Sequence, residues 1–183
     1  AQAVDHIDEH AVVSASGERF EADVILLATG FEAGRMLGSI DVAGRSGRRL
    51  AQEWVDDNPH AYLGITIPGF PNLFVTYGPN TGLAHGGSMI LVAECQVRYI
   101  TMLLRDMVER GIAEVEVRPE VHDRFMEKVD AEHAQLVWAH PGVDNWYRNR
   151  LGRVFGPMPF RLVDYWSMTR EPNLDEYLTA PAI

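Results

Sequence analysis

The chain has 183 residues, about one domain by the usual range of roughly 100 to 200 residues, and enough to bury about 70% of its unfolded surface. With 46% hydrophobic and 23% charged residues it is neither disordered nor a fibrous repeat. Sixteen Lys and Arg against 26 Asp and Glu give a net charge of −10, which speaks against a general nucleic-acid binder, since that needs a basic face. The single cysteine, Cys95, excludes an internal disulfide and a multi-cysteine zinc site and suits a reducing compartment, so a cytoplasmic location is expected. The first ten residues carry three acids and two histidines, unlike a signal peptide. The apolar stretch from Ser88 to Leu104 is interrupted by Glu94, Gln96 and Arg98 and does not read as a membrane span. Ala1 is not a start methionine, so the chain is expected to be cut from a longer one.

In chain order, Ala11 to Ala15 reads as a strand, Ser16-Gly17 as a turn and Glu18 to Ala22 as a return strand. Val24-Ile25-Leu26-Leu27-Ala28 is a continuous apolar run with a turn signal after it, the pattern of a strand buried on both faces. Gly30 to Gly47 is a glycine-rich loop with a helical turn at Glu32 to Leu37, and Arg48 to Asp56 reads as a helix ending near Asn58-Pro59. Pro68 to Pro71 is rigid punctuation, and Leu73 to Thr76 reads as a short strand. The strongest helix runs from about Ser88 to Arg110 and stops at Gly111, with Met89, Val92, Ala93, Val97, Ile100, Leu104 and Met107 expected on its buried face. Glu94–Arg98 and Asp106–Arg110 are expected as ion pairs on its wetter side. Glu114 to Val117 reads as a strand, and Pro119 opens a second helix carrying Val121, Phe125, Val129 and Leu136. Beyond Pro141 periodicity fades, and three of the four tryptophans lie between 138 and 166.

Two arrangements can carry chemistry. The first is Leu73 to Tyr77, then Gly78-Pro79-Asn80-Thr81-Gly82, then His85-Gly86-Gly87-Ser88 at the head of the long helix. A helix start presents free N–H groups and a partial positive charge, and glycines let a ligand approach the backbone closely. Such a loop can hold a phosphate or the carbonyl edge of a flavin ring, or it can be a tight turn with Ser88 as helix cap. The second is Asp23 to Phe31, an apolar strand ending in Thr29-Gly30, where open α/β sheets place ligands; a core strand that needs a glycine to turn is the plain alternative. The histidines show no metal spacing, Cys95 has no acid–base partner in sequence, and the Trp138, Trp146, Tyr147 and Trp166 group reads as a lid or packing surface.

Together these pieces resemble one family. Asp23-Val-Ile-Leu-Leu-Ala-Thr-Gly-Phe31 is similar to the DxxxxATGF segment of class B flavoprotein monooxygenases. Gly44 to Gly47, Trp54, Ala61 to Thr66, Gly69 to Phe74, Gly78 to Gly82, His85 to Ser88 and Glu94-Cys95-Gln96 follow in the family's order. Asn145-Trp146-Tyr147-Arg148-Asn149 with Gly152-Arg153 resembles the SWYxNxxGR stretch of Baeyer–Villiger monooxygenases, and Asp164-Tyr165-Trp166 and Thr169 to Pro172 continue it.

The resemblance implies an α/β fold: the C-terminal part of a flavoprotein with two dinucleotide-binding domains, for FAD and NADPH, built on a mixed sheet with long helices. Residues 1–30 would end the NADPH-binding domain, 31–118 would form the C-terminal half of the FAD-binding domain, and 119–183 a C-terminal helix and aromatic-rich extension. Gly78, Pro79, Asn80, Thr81, Gly82, Gly86, Gly87 and Ser88 would line the flavin. Trp146 would reach NADP, Thr29, Gly30 and Phe31 would lie between the cofactors, and His85 and Met89 would sit at the substrate pocket. The implied chemistry is reduction of FAD by NADPH, capture of O2 as a C4a-peroxyflavin, and oxygen insertion next to a ketone carbonyl to give an ester or lactone. An N- or S-oxidising flavin monooxygenase and a non-catalytic module that keeps the fold are the alternatives. The implied partners are a small ketone, O2 and the N-terminal remainder of the same enzyme, with no nucleic acid and no membrane. Neither GxGxxG, nor FxGxxxHxxxWP, nor the segment supplying the family's active-site arginine is present, and Asp144-Asn145 stands before Trp146 where the family often has Ser. No catalytic residue is therefore assigned here; those are expected upstream, and the fragment alone is expected to be inactive.

Overall fold

The computed structural model describes residues 2–31, 34–84, 86–143 and 145–182, in two compact units, Ala1–Glu32 and Ala33–Ile183.

The first unit is an antiparallel sheet of β1 (Val4–Ile7), β2 (Ala11–Ser14) and β3 (Arg19–Glu21), with β2 in the middle. Its turns explain it. The Asp8 carboxylate accepts the amides of His10 and Ala11, each at 2.9 Å, and pairs with Arg19 across the sheet. These bonds, that to the His10 amide first, hold the Asp8 carboxyl below its usual range. Gly17, at φ 83, makes the next turn. The two expected strands form, and β1 is added to them.

The expected strand at Val24–Ala28 does not form. The run is irregular and bare, with Leu26 87% and Leu27 78% exposed. A strand apolar on both faces needs paired neighbours and covering layers. Among the described residues of this unit the strands form an antiparallel sheet that leaves residues 24–28 unpaired.

The second unit carries the core. The expected helix over Arg48–Asp56 shrinks to α1 (Leu50–Glu53) followed by a 3-10 turn, Val55–Asp57. Asp56 and Asp57 turn left-handed, and the Trp54 indole N–H donates to the His60 carbonyl at 3.0 Å, folding the chain back. Leu50 and Trp54 thereby pack on Ala61, Ile67 and Phe70.

The long helix α2 (Met89–Glu109) begins where the sequence places it. Ser88 is its cap, accepting from the Leu91 amide at 3.4 Å, and Gly111, at φ 64, follows its end. Its buried stripe differs from the expected one. Val92, Cys95, Gln96, Tyr99, Leu103 and Met107 face inward, whereas Met89, Val97 and Leu104 are exposed. The stripe is rotated because two polar-tipped residues belong to the core: Gln96 bonds the Tyr77 backbone N–H and the buried Tyr165 hydroxyl, and the hydroxyls of Tyr99 and Tyr177 meet at 2.8 Å. Arg98 donates to the Thr169 carbonyl and lies over Trp166, and Asp106 pairs with Arg105, in place of the expected Glu94–Arg98 and Asp106–Arg110 pairs.

Strand β4 (Ile112–Val117) pairs antiparallel with the C-terminal β5 (Tyr177–Pro181). Helix α3 (Pro119–His133) has proline in its first turn, and α4 (Leu162–Met168) presents Tyr165 to the core. Tyr62, Leu63, Ile65, Tyr99, Leu103 and Tyr177 form the largest cluster, joined by Met107, Val115 and Val117. A second cluster sets Val92 and Cys95 against Val129, Met158, Phe160 and Tyr165. Both sheets are antiparallel, and no helix among the described residues is long and apolar enough to cross a membrane.

Candidate cofactor-binding site

The segment Leu73–Thr76, expected as a strand, is irregular. Its neighbours offer it single bonds only: Asn72 and Val115 exchange two at 3.0 Å, and the Val75 amide donates to Ile65 at 2.8 Å. No ladder can grow from such isolated contacts. The chain then turns sharply, with Tyr77 at φ 54 and Asn80 at φ 58. Gly78 is demanded by contact: a Cβ there would lie 2.4 Å from the Gly64 carbonyl oxygen. The Thr81 hydroxyl donates to Gly78 O at 2.6 Å and closes the loop.

The loop is clasped to the segment 154–158. The Asn80 amide donates to Phe155 O, Gly82 N to Gly156 O, and Met158 N back to Gly82 O, at 2.7 to 2.9 Å. The buried Asn80 side chain donates to Val154 O at 3.0 Å and accepts from the Arg153 guanidinium at 3.1 Å. Arg153 also reaches Asn58, Pro59 O and Asp130, so one side chain ties three segments together. Beside it lies His133, 3.2 Å from the Asn80 amide nitrogen and 3.1 Å from Pro157 O, held down to about 4 chiefly by burial.

The opposite wall is aromatic. Trp146 stacks on Tyr147 with ring centroids 4.0 Å apart, and Trp138 meets Tyr147 edge-on at 4.9 Å. Tyr147 is joined to the clasp by the Phe155 amide, which donates to its carbonyl at 3.1 Å. Between the walls is a cavity of about 350 Å³ lined by Tyr77, Gly78, Gly82, Trp146, Tyr147 and Phe155, with Leu83 and Gly156. Glycine edges on one side and flat rings on the other suit a planar ring system with polar edges.

Of the residues singled out from sequence, Gly78, Gly82 and Trp146 meet in this cavity. Pro79, Asn80 and Thr81 are buried, and the Asn80 and Thr81 side chains are spent on protein partners. Gly86, Gly87, Ser88 and Met89 are exposed at the head of α2, with Gly86 at φ 100 and Gly87 at φ 114. Thr29, Gly30 and Phe31 lie in the first unit, exposed. His85 lies outside the described residues. Trp166 leaves the expected aromatic group and sits between Arg98 and Arg170. Phe155 and Leu83 were not singled out from sequence, and Gln96 was named only in a motif and as a polar interruption of the apolar stretch, whereas it is fully buried on the core-facing stripe of α2. Cys95 is buried, and among the described residues no group of His, Cys, Asp or Glu could hold a metal ion.

No protein-family model matches the chain. An uncharacterized monooxygenase of Sinorhizobium fredii is 40% identical over 177 residues, 97% of this chain and 27% of that protein. A Baeyer–Villiger monooxygenase of Streptomyces coelicolor is 33% identical over 97% of this chain and 34% of its own length. Among solved structures, an oxidized steroid monooxygenase bound to NADP superposes with a TM-score of 0.76 at 27% identity, covering 99% of this chain and 34% of that one. The chain matches the C-terminal portion of Baeyer–Villiger monooxygenases. OTEMO in complex with FAD and NADP, at 23% identity and a TM-score of 0.81, shares the fold over 98% of this chain and 33% of its own. The chain thus spans about a quarter to a third of the length of these Baeyer–Villiger and related monooxygenases.

Proposed function

We propose that this chain forms the C-terminal part of an FAD- and NADPH-dependent monooxygenase that inserts one oxygen atom from O2 next to a ketone carbonyl, giving an ester or lactone. The observation that carries this reading is the cavity in which the Gly78–Gly82 edge faces Trp146 and Tyr147. The fit to a flavin or nicotinamide ring is physical: Gly78 and Gly82 bring no side chain to the near wall, and Trp146 and Tyr147 offer stacking surface on the far wall. When bound, the flavin supplies the redox and oxygen chemistry. The chain's own part is to present the loop, to hold it rigid through Asn80 and Arg153, and to keep water from the ring with its aromatic wall.

In the same reading, the three-stranded unit is the end of the NADPH-binding domain, and residues 31–118 and 119–183 are the FAD-binding half and the C-terminal extension. Gly86, Gly87 and Ser88 face the flavin, Thr29–Phe31 lie between the cofactors, and His85 and Met89 border the substrate. The unpaired Cys95 supports a cytoplasmic enzyme. The motif residues around Trp146 favour ketones over the amine and thioether substrates of N- and S-oxidising enzymes. Trp146 is 65% exposed, so its loss costs the fold little. In the full-length enzyme Trp146→Ala is expected to raise the KM for NADPH or to release hydrogen peroxide at the expense of product. Unchanged NADPH kinetics with full coupling would remove Trp146 from the site.

A further inference from the structure

Gln96 sits in the middle of α2 with no exposed surface. A fully buried amide is costly unless each end is bonded, and here both are. Its Oε1 accepts the backbone N–H of Tyr77 at 2.7 Å. Its Nε2 donates to the Tyr165 hydroxyl at 2.9 Å, and that hydroxyl donates to the Leu63 carbonyl at 2.7 Å. A backbone N–H can only donate, and the Tyr165 proton is spent on Leu63, so the amide has one orientation.

The two segments reached in this way are both left-handed. Leu63 stands at φ 54 and Gly64 at φ 67, and Tyr77 stands at φ 54. Bulky residues avoid that conformation unless their surroundings enforce it. The two turns also touch, since a Cβ on Gly64 would meet the Thr81 methyl at 2.2 Å and one on Gly78 the Gly64 oxygen. Tyr77 and Gly78 are wall residues of the cavity. One amide from the core thus clamps two strained turns against each other directly behind that wall.

We propose that Gln96 is the positioning residue of the cofactor cavity: it holds Tyr77 in its left-handed conformation and so fixes the edge that Gly78 to Gly82 present to a planar, ring-bearing cofactor. The inference rests on the flavin reading above and names the residue behind the site. It gives Tyr165 a linked task, relaying the clamp to Leu63.

The test is FAD affinity and thermal midpoint of the full-length protein, measured for Gln96→Met, Tyr77→Gly and the pair. Methionine keeps the length and loses both bonds, while glycine adopts φ 54 without help. Gln96→Met is expected to weaken FAD binding about tenfold on its own and under about threefold when added to Tyr77→Gly. The thermal midpoint falls in both backgrounds, so a merely structural loss would not be rescued. Should Gln96→Met fail to fold, Tyr165→Phe removes only the relay and is expected to weaken FAD binding about threefold or more. FAD affinity unchanged within about twofold in either variant, or an equal loss with and without Tyr77→Gly, overturns the assignment. A parent protein that binds no FAD overturns the functional reading together with this one. A flavin-replete parent with unaffected variants overturns the role of Gln96 alone.

Discussion

Gly64 and Gly78 meet backbone to backbone, and the contact decides what either position tolerates. A methyl group on Gly78 would stand 2.4 Å from a carbonyl oxygen, which cannot swing away as a side-chain end can. Gly78→Ala is therefore expected to cost about 1–3 kcal/mol, the range for forced overpacking. A denaturation midpoint equal to the parent's would contradict the close approach. Gly47, with open space around it, is the comparison position for strain from φ alone. At the same scale, His60 and His133 are both held down to about 4 from an ordinary 6.5, in each case by burial first. His122 and Arg153 add to the effect at His60, and Arg153 at His133, while Glu53, the Pro157 carbonyl and Asp130 oppose it. Below 6.5 the unfolded chain takes up these protons and the folded one resists them down to about 4. Stability present above that window is thus lost as pH falls through it. The paired replacement His60→Gln with His133→Gln should flatten the decline of the thermal midpoint between pH 6.5 and 4, and an unaltered slope would show that other groups drive it.

At the scale of elements, α2 shows what a sequence pattern conveys and what it leaves out. Its ends were legible because Ser88 and Gly111 are local signals. Its buried stripe was not, because counting apolar side chains leaves out Gln96 and Tyr99, whose polar tips are satisfied only by Tyr77, Tyr165 and Tyr177 far along the chain. Adjacent leucines separate the two registers: Leu103 is fully buried and Leu104 is 44% exposed. Leu103→Ala should cost about 2–5 kcal/mol and Leu104→Ala about 0.5 kcal/mol or less. Equal costs in urea unfolding would return the expected stripe. Strands fared worse than helices. The runs at Val24–Ala28 and Leu73–Thr76 have the composition of strands, but a strand exists only through its neighbours, and those runs have none or single bonds. β5 was invisible for the converse reason, since Tyr177–Pro181 looks unremarkable until β4 pairs with it.

At the scale of the whole molecule, the glycine-rich loop and the Trp146-Tyr147 segment lie more than sixty residues apart, and the sequence joined them only through a family resemblance. The structure joins them physically, through the Asn80–Arg153 clasp and the shared cavity. Gly78, Gly82 and Trp146 stood out in the sequence as loop glycines and part of a Trp-Tyr pair, and they line one cavity; the places of Phe155 and Gln96 were not legible, because they are set by contacts distant in sequence. The central claim is that this portion belongs to an oxygen-inserting flavoenzyme. The most direct measurement is mass spectrometry of the product when the full-length protein, supplied with FAD and NADPH, acts on a panel of linear and cyclic ketones under ¹⁸O2. The account predicts an ester or lactone carrying one ¹⁸O atom for each NADPH consumed. Ketones recovered unchanged while an amine or thioether is oxygenated, or a protein that retains no flavin, would contradict it.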